Sequence, residues 1–255
     1  MSLYCQKTGQ GAPLVLLHGW GMNAAVWEPI LPTLAEHFEV NVIELPGHGA
    51  SPPAPAAELR DWAQLCLDAA PRRAQWIGWS LGGQVALQAA LMAPARVGRL
   101  SLVGTTPRFV QSVDWPCAMP TSTFEQFARA LDDDANATLM RFLSLQVKGA
   151  EHARETLKQL RDEVAQRPPA SAEGLSQGLE LLLRTDLRGE LAELACPTHW
   201  WFGARDTLVP STITECLGDW LPASRIDVID GAGHAPFLSH PQESLDLLLD
   251  FLPVS

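Results

Sequence analysis

A serine flanked by glycines, Gly78-Trp79-Ser80-Leu81-Gly82, follows the strand-like run Ala74-Gln75-Trp76-Ile77 and precedes the helix-like run Gln84–Met92. A Gly-x-Ser-x-Gly element in that setting puts the serine on a sharp turn between a strand and a helix. The turn strains the serine backbone, so residues without a β-carbon are needed on both sides. Short glycine and serine patterns also arise as plain tight turns. The strand before and the helix after are what mark Ser80 as a nucleophile.

A serine hydroxyl is a poor nucleophile at neutral pH, so a base and an orienting acid must follow. On this kind of turn they come later in the chain, acid first and histidine second. Of seven histidines, only His234 and His240 lie late enough and near loop signals. His234 sits in the glycine-rich loop Asp230-Gly231-Ala232-Gly233-His234 after the strand-like Ile226-Asp227-Val228-Ile229. His240 precedes Pro241 at the start of the last helix, expected over 242–252, and reads as a turn or capping residue. Asp206 follows the aromatic run Thr198-His199-Trp200-Trp201-Phe202-Gly203, so its carboxylate is expected just beyond the carboxyl end of a strand. From there it can hold the imidazole's second nitrogen. Among its competitors, Asp227 falls within a strand, Asp219 in a helix-like segment, and the turn itself accounts for Asp230.

The oxyanion needs two donors. One is the backbone N–H after the nucleophile, Leu81, and the other comes from an early loop. Val15-Leu16-Leu17 reads as a short buried strand ending in His18-Gly19-Trp20-Gly21, which makes Trp20 the second donor. His18 is expected to hold this loop rather than to transfer protons. The Trp20 and Trp79 indoles are expected to wall the substrate pocket together with Phe142 and Leu145, although buried aromatics are as often plain core.

The first 110 residues alternate: strand 12–17, helix 24–37, strand 38–44, helix 58–70, strand 74–79, helix 81–92 and strand 98–104. Alternation of this kind predicts an α/β fold with a mostly parallel sheet and helices on both faces. Between about 111 and 189 only helices are expected, near 123–132, 134–147, 150–167 and 172–184. The organisation read from this is a core of residues 1–110 and 190–255, with residues 111–189 inserted as a helical lid over the sheet's carboxyl edge. Hydrophobic residues make up 47% and charged residues 18%, which excludes a disordered chain. No apolar run approaches the ~18 residues of a membrane span, and the first residues carry no extended apolar segment. Five scattered cysteines, without a Cys-x-x-Cys, read as buried thiols in a reducing compartment, so a cytoplasmic location is expected. No metal-ligand spacing is present, and no cofactor is expected.

The whole chain resembles the α/β-hydrolase superfamily through His18-Gly19-Trp20-Gly21, Leu45-Pro46-Gly47-His48-Gly49-Ala50-Ser51, Gly78-Trp79-Ser80-Leu81-Gly82-Gly83 and Gly233-His234-Ala235-Pro236-Phe237. Together with Arg141-Phe142-Leu143-Ser144-Leu145-Gln146 and Thr185-Asp186-Leu187-Arg188, these segments look most like the BioH-type carboxylesterases of biotin synthesis. That resemblance implies hydrolysis of the methyl ester of pimeloyl-acyl carrier protein, with the thioester to the carrier left intact. It also implies an acyl carrier protein as partner. Neither nucleic acid nor membrane is expected as a partner, and a monomer is expected.

A carrier protein is small and acidic, and the chain's net charge is −11. Residues 111–188 hold 9 Lys/Arg against 12 Asp/Glu, while the rest holds 9 against 17, so the helical segment is the less hostile face. Arg154, Lys158 and Arg161 are spaced i, i+4, i+7 on one helix face, and Arg141 and Lys148 share a seven-residue spacing on the preceding helix. Arg141, Arg154, Lys158 and Arg161 are the candidate docking residues. Alternatively these bases only pair with Glu151, Glu155, Asp162 and Glu163 on a solvated surface. The resemblance leads one to expect another arginine at Ala137 and an aspartate at Glu44. Two further readings stay open: a serine hydrolase acting on small esters, lactones or carbon–carbon bonds without a carrier, and a hydrolase scaffold serving as a ligand receptor.

Overall fold

The computed structural model describes residues 2–221 and 223–253. Seven strands form one sheet in the order β1-β3-β2-β4-β5-β6-β7. They are β1 (Cys5–Thr8), β2 (Ala12–Leu17), β3 (Phe38–Ile43), β4 (Ala74–Trp79), β5 (Val97–Val103), β6 (Thr198–Gly203) and β7 (Arg225–Ile229). All neighbours pair in parallel except β1, which runs antiparallel to β3 at the edge. The interior strands are apolar on both faces, as in Leu14–Leu17 with 0% exposure, because helices cover the sheet on either side.

Helices α1 (Leu31–His37), α2 (Leu59–Ala69) and α3 (Leu81–Met92) connect the first strands, and α8 (Ile213–Trp220), α9 (Pro236–Ser239) and α10 (Pro241–Phe251) complete the carboxyl-terminal part. α2 buries Leu59, Trp62, Ala63, Cys66 and Leu67, the spacing of a single apolar stripe. α3 is buried on every side from Leu81 to Ala90, which explains its run of alanine and glycine. The helix expected over 24–37 is in fact a 3-10 turn at Ala24–Trp27 followed by α1. Pro32 in the first turn of α1 lacks the N–H that a continuous helix would use.

Between β5 and β6 the chain forms α4 (Thr121–Asp133), α5 (Ala135–Gln146), α6 (Ala153–Val164) and α7 (Ala172–Arg184). The ends of this segment are clamped to the core. Arg188 pairs with Asp186 at 2.7 Å and Asp114 at 3.0 Å, and its guanidinium lies 5.5 Å from the Trp115 ring and 5.8 Å from that of Trp220 on α8.

The cysteines depart from expectation. Cys117, just before α4, and Cys216, on α8, form a disulfide across a Cα–Cα distance of 6.7 Å. The two segments meet because the Trp115 and Trp220 rings pack edge to face beside them, at 6.4 Å. Of the three remaining thiols only Cys66 is buried, while Cys5 and Cys196 are half-buried.

Candidate active site

The chain passes from β2 to β3 on one side and then crosses back to β4 on the other, so β2 and β4 are neighbours with Leu17 beside Gly78. In an open α/β sheet such a reversal leaves a crevice at the strands' carboxyl ends. The His18–Gly21 loop and the Ser80 turn both emerge into it. Ser80 has φ +55°, one of two non-glycine residues with positive φ among the described residues. Its N–H donates to Val103 O at 2.9 Å, and its own carbonyl accepts the Thr105 hydroxyl at 2.7 Å. These contacts hold a conformation that costs of order 1–3 kcal/mol elsewhere. The flanking glycines are needed for close approach: a β-carbon on Gly82 would lie 2.4 Å from His18 O, and one on Gly78 2.5 Å from Gly82 O.

Asp206 and His234 meet although they leave different strands. His234 Nδ1 is 2.7 Å from Asp206 Oδ2. Asp206 Oδ1 accepts the N–H groups of Leu208 at 2.7 Å and Val209 at 2.9 Å, so both carboxylate oxygens are engaged and the group is fixed. His234 is held by its backbone as well: its N–H donates to Gln146 O at 2.9 Å, and its carbonyl accepts the Trp79 indole at 2.9 Å. Gly104, with φ +48°, leaves room beneath the imidazole, where a β-carbon would come within 3.2 Å of Cε1. Among the described residues His234 Nε2 is buried without a protein partner, and it lines the same cavity as Ser80. Unpartnered in this way, Nε2 is available to a hydroxyl brought within reach, and such contacts are commonly long before substrate binds.

His18 and His48 build the loop opposite. Leu45 N–H donates to His18 Nε2 at 3.0 Å, so that nitrogen carries no proton, and Nδ1–H donates to Gly19 O at 2.8 Å. His48 repeats the pattern, accepting Gly21 N–H at 3.1 Å and donating to Pro46 O at 2.9 Å. Burial lowers the pKa of His18 to about 3, with the neighbouring His48 adding to the effect, and burial lowers that of His48 to about 4. Both rings are therefore neutral struts that shape residues 18–21. Glu44, fully buried, accepts Ala24 N–H at 3.1 Å and Ala50 N–H at 2.6 Å, which gives it a structural place beneath the same loops. Among the described residues, the N–H groups of Trp20 and Leu81 donate to no protein acceptor. Leu81 opens α3, where a free N–H and the positive end of the helix dipole face the turn.

The cavity at Ser80 amounts to about 10 Å³, room for a single water, and is lined by Phe109, Met119, Phe124, Phe142, Leu182 and Leu208 beside Ser80 and His234. Of the residues expected to wall it, Phe142 does so. Trp20 lies behind Phe142, ring centroids 4.7 Å apart. Trp79 is withdrawn because its indole is committed to the His234 carbonyl and its ring packs on Phe237. Leu145 is half-buried against the core instead. Phe109, Met119 and Leu208 come from irregular segments and carry no periodic signal in the sequence.

Arg141, Arg154, Lys158 and Arg161 are all exposed. None of the ion pairs among the described residues includes them. Arg141 lies over the Phe127 ring at 5.3 Å, and Glu151 pairs with Arg205 on the core.

A mostly parallel sheet with a strained serine turn beside a carboxylate-held imidazole defines the α/β hydrolases. Residues 12–241 match the family described as an alpha/beta hydrolase fold, and the chain belongs to it. More particularly, it is 43% identical over 251 residues to the pimeloyl-[acyl-carrier protein] methyl ester esterase of Photobacterium profundum, covering 98% of each chain. It is 44% identical over 248 residues to the protein of the same name from Klebsiella pneumoniae, covering 97% of this chain and 96% of that one. Among solved structures, an esterase from Exiguobacterium antarcticum superposes with a TM-score of 0.85 at 24% identity, over 98% of this chain and 94% of the other, a likeness of fold alone.

Proposed function

We propose that the protein is the carboxylesterase that hydrolyses the methyl ester of pimeloyl-acyl carrier protein in biotin synthesis. The observation that carries the chemistry is the convergence of Ser80 and His234 on one cavity, with Asp206 fixed behind the imidazole. Full-length identity above 40% to esterases of that name supports the substrate.

In the first step the Ser80 hydroxyl attacks the ester carbonyl and His234 Nε2 takes its proton. Asp206 holds the Nδ1–H tautomer and stabilises the imidazolium that forms. The developing oxyanion is held by the N–H groups of Trp20 and Leu81, each worth about 10²–10³ in rate. His234 then returns its proton to the departing methanol. In the second step it activates a water that releases the free carboxylate from Ser80. A cavity of about 10 Å³ admits no acyl chain, so the pimeloyl arm enters as Phe124 of α4 and Phe142 of α5 move aside. Arg141, Arg154, Lys158 and Arg161, each exposed on α5 or α6, are the bases proposed to steer an acidic carrier.

The test is intact-mass analysis of methyl pimeloyl-carrier protein after incubation with the enzyme. The expected product is a carrier that has lost the methyl group and kept its acyl thioester. Release of the monomethyl acid from the carrier would mean thioesterase chemistry and contradict the assignment.

A further inference from the structure

Helix α7 carries two glycines, Gly174 in its first turn and Gly178 one turn later in the interior of the 13-residue helix. Glycine is the least favourable interior helical residue after proline, so their presence asks for a reason in packing. Gly174 has one: a β-carbon there would lie 2.5 Å from Gly47 O. At that point Ser171 N–H also donates to Gly47 O at 2.8 Å, and α7 sits directly on the core. Gly178 has another. A β-carbon there would lie 2.8 Å from Trp20 Cδ1 and 3.1 Å from Leu81 Cδ2. One bare position on α7 thus touches the side chains of both residues whose N–H groups face the oxyanion. One turn earlier, Leu175 O accepts the Trp20 indole N–H at 2.8 Å.

We infer that α7 is a fixed support of the oxyanion hole, with Gly178 and the Leu175 carbonyl as positioning elements that set where the Trp20 and Leu81 N–H groups point. This rests on the serine-esterase reading above. The Trp20 loop is held from below by the neutral His18 and His48 rings and from above by α7. Only the side away from α7 is left for an acyl chain, so the helices that give way to substrate are α4 and α5.

The test uses Gly178→Ala, Trp20→Phe and, as a control, Gly189→Ala, whose β-carbon would meet nothing within 4 Å. Steady-state hydrolysis of a p-nitrophenyl ester is measured beside inhibition by a trifluoromethyl ketone. The ketone adds the Ser80 oxygen at its carbonyl carbon, the serine proton passes to His234, and the carbonyl oxygen becomes the anion in the hole. Phenylalanine at 20 keeps the ring but loses the bond to Leu175 O. Both variants are expected to lose kcat at least about tenfold with KM within about twofold, and to bind the ketone weaker by the same factor. The control is expected to match the wild type. Unchanged kcat and ketone affinity in the variants would overturn the inference, as would a raised KM at constant kcat. If Gly178→Ala fails to fold, Trp20→Phe decides alone. A wild-type protein that hydrolyses no ester and leaves Ser80 unlabelled by a fluorophosphonate would instead sink the esterase reading, and this inference with it.

Discussion

Asp206 illustrates how much one side chain is asked to do. Oδ2 holds the imidazole while Oδ1 caps the turn at Leu208 and Val209. Asparagine can keep the second task through its own Oδ1, but its amide presents the wrong partner to Nδ1. Asp206→Asn is therefore expected to leave the unfolding midpoint nearly unchanged and to lower kcat on a small ester by about 10²–10⁴. Loss of fold rather than rate would place Asp206 among structural residues. The neutral rings of His18 and His48 lead to a second expectation. In the unfolded chain these imidazoles bind protons near pH 6.5. In the folded protein they stay neutral down to about pH 3 and about pH 4. Between those limits the unfolded chain holds more protons, so stability is complete above about pH 6.5 and drains as pH falls, by up to about 1.4 kcal/mol per pH unit for each ring. Urea midpoints at pH 7 and pH 5 measure this. His48→Gln, whose amide oxygen can still accept Gly21 N–H, is expected to show the shallower dependence. A slope equal to the native one would mean that His48 contributes none of it.

At the scale of elements, the segments that meet at the Ser80 cavity are the easiest to read from sequence. The Ser80 turn announces itself because a strand, two glycines and a helix must coincide there. Asp206 and His234 each follow a recognisable strand in loops with glycine. Elements without a strong apolar period were harder. β1 (Cys5–Thr8) is a short, half-exposed edge strand with no apolar alternation, and nothing in its sequence separates it from a loop. Trp79 neighbours Ser80 in the chain, but its indole reaches a carbonyl 155 residues away, a contact that sequence spacing does not encode. The same holds for Cys117 and Cys216, 99 residues apart and brought together by the packing of Trp115 on Trp220. Their pairing is directly measurable. Protein denatured without reductant is expected to titrate three thiols, Cys5, Cys66 and Cys196. Five would return the chain to the fully reduced state expected from its cysteine spacing.

For the whole molecule, the sheet supplies a rigid floor and the helices between β5 and β6 supply a cover that leaves almost no free volume over Ser80. The proposed function assigns chemistry and carrier recognition to different parts of one chain, the sheet's carboxyl edge and the exposed bases of α5 and α6. Paired kinetics test that separation. Hydrolysis of methyl pimeloyl-carrier protein is measured beside that of a short p-nitrophenyl ester, for the native protein, Ser80→Ala and Arg154→Glu/Lys158→Glu. Ser80→Ala is expected to lose both activities. The charge-reversed protein is expected to keep its rate on the small ester but to lose kcat/KM for the carrier substrate by roughly tenfold or more, with the loss shrinking as salt screens the native attraction. Native protein that cleaves the small ester but leaves the carrier-bound methyl ester intact would contradict it, and would leave a serine esterase without a carrier.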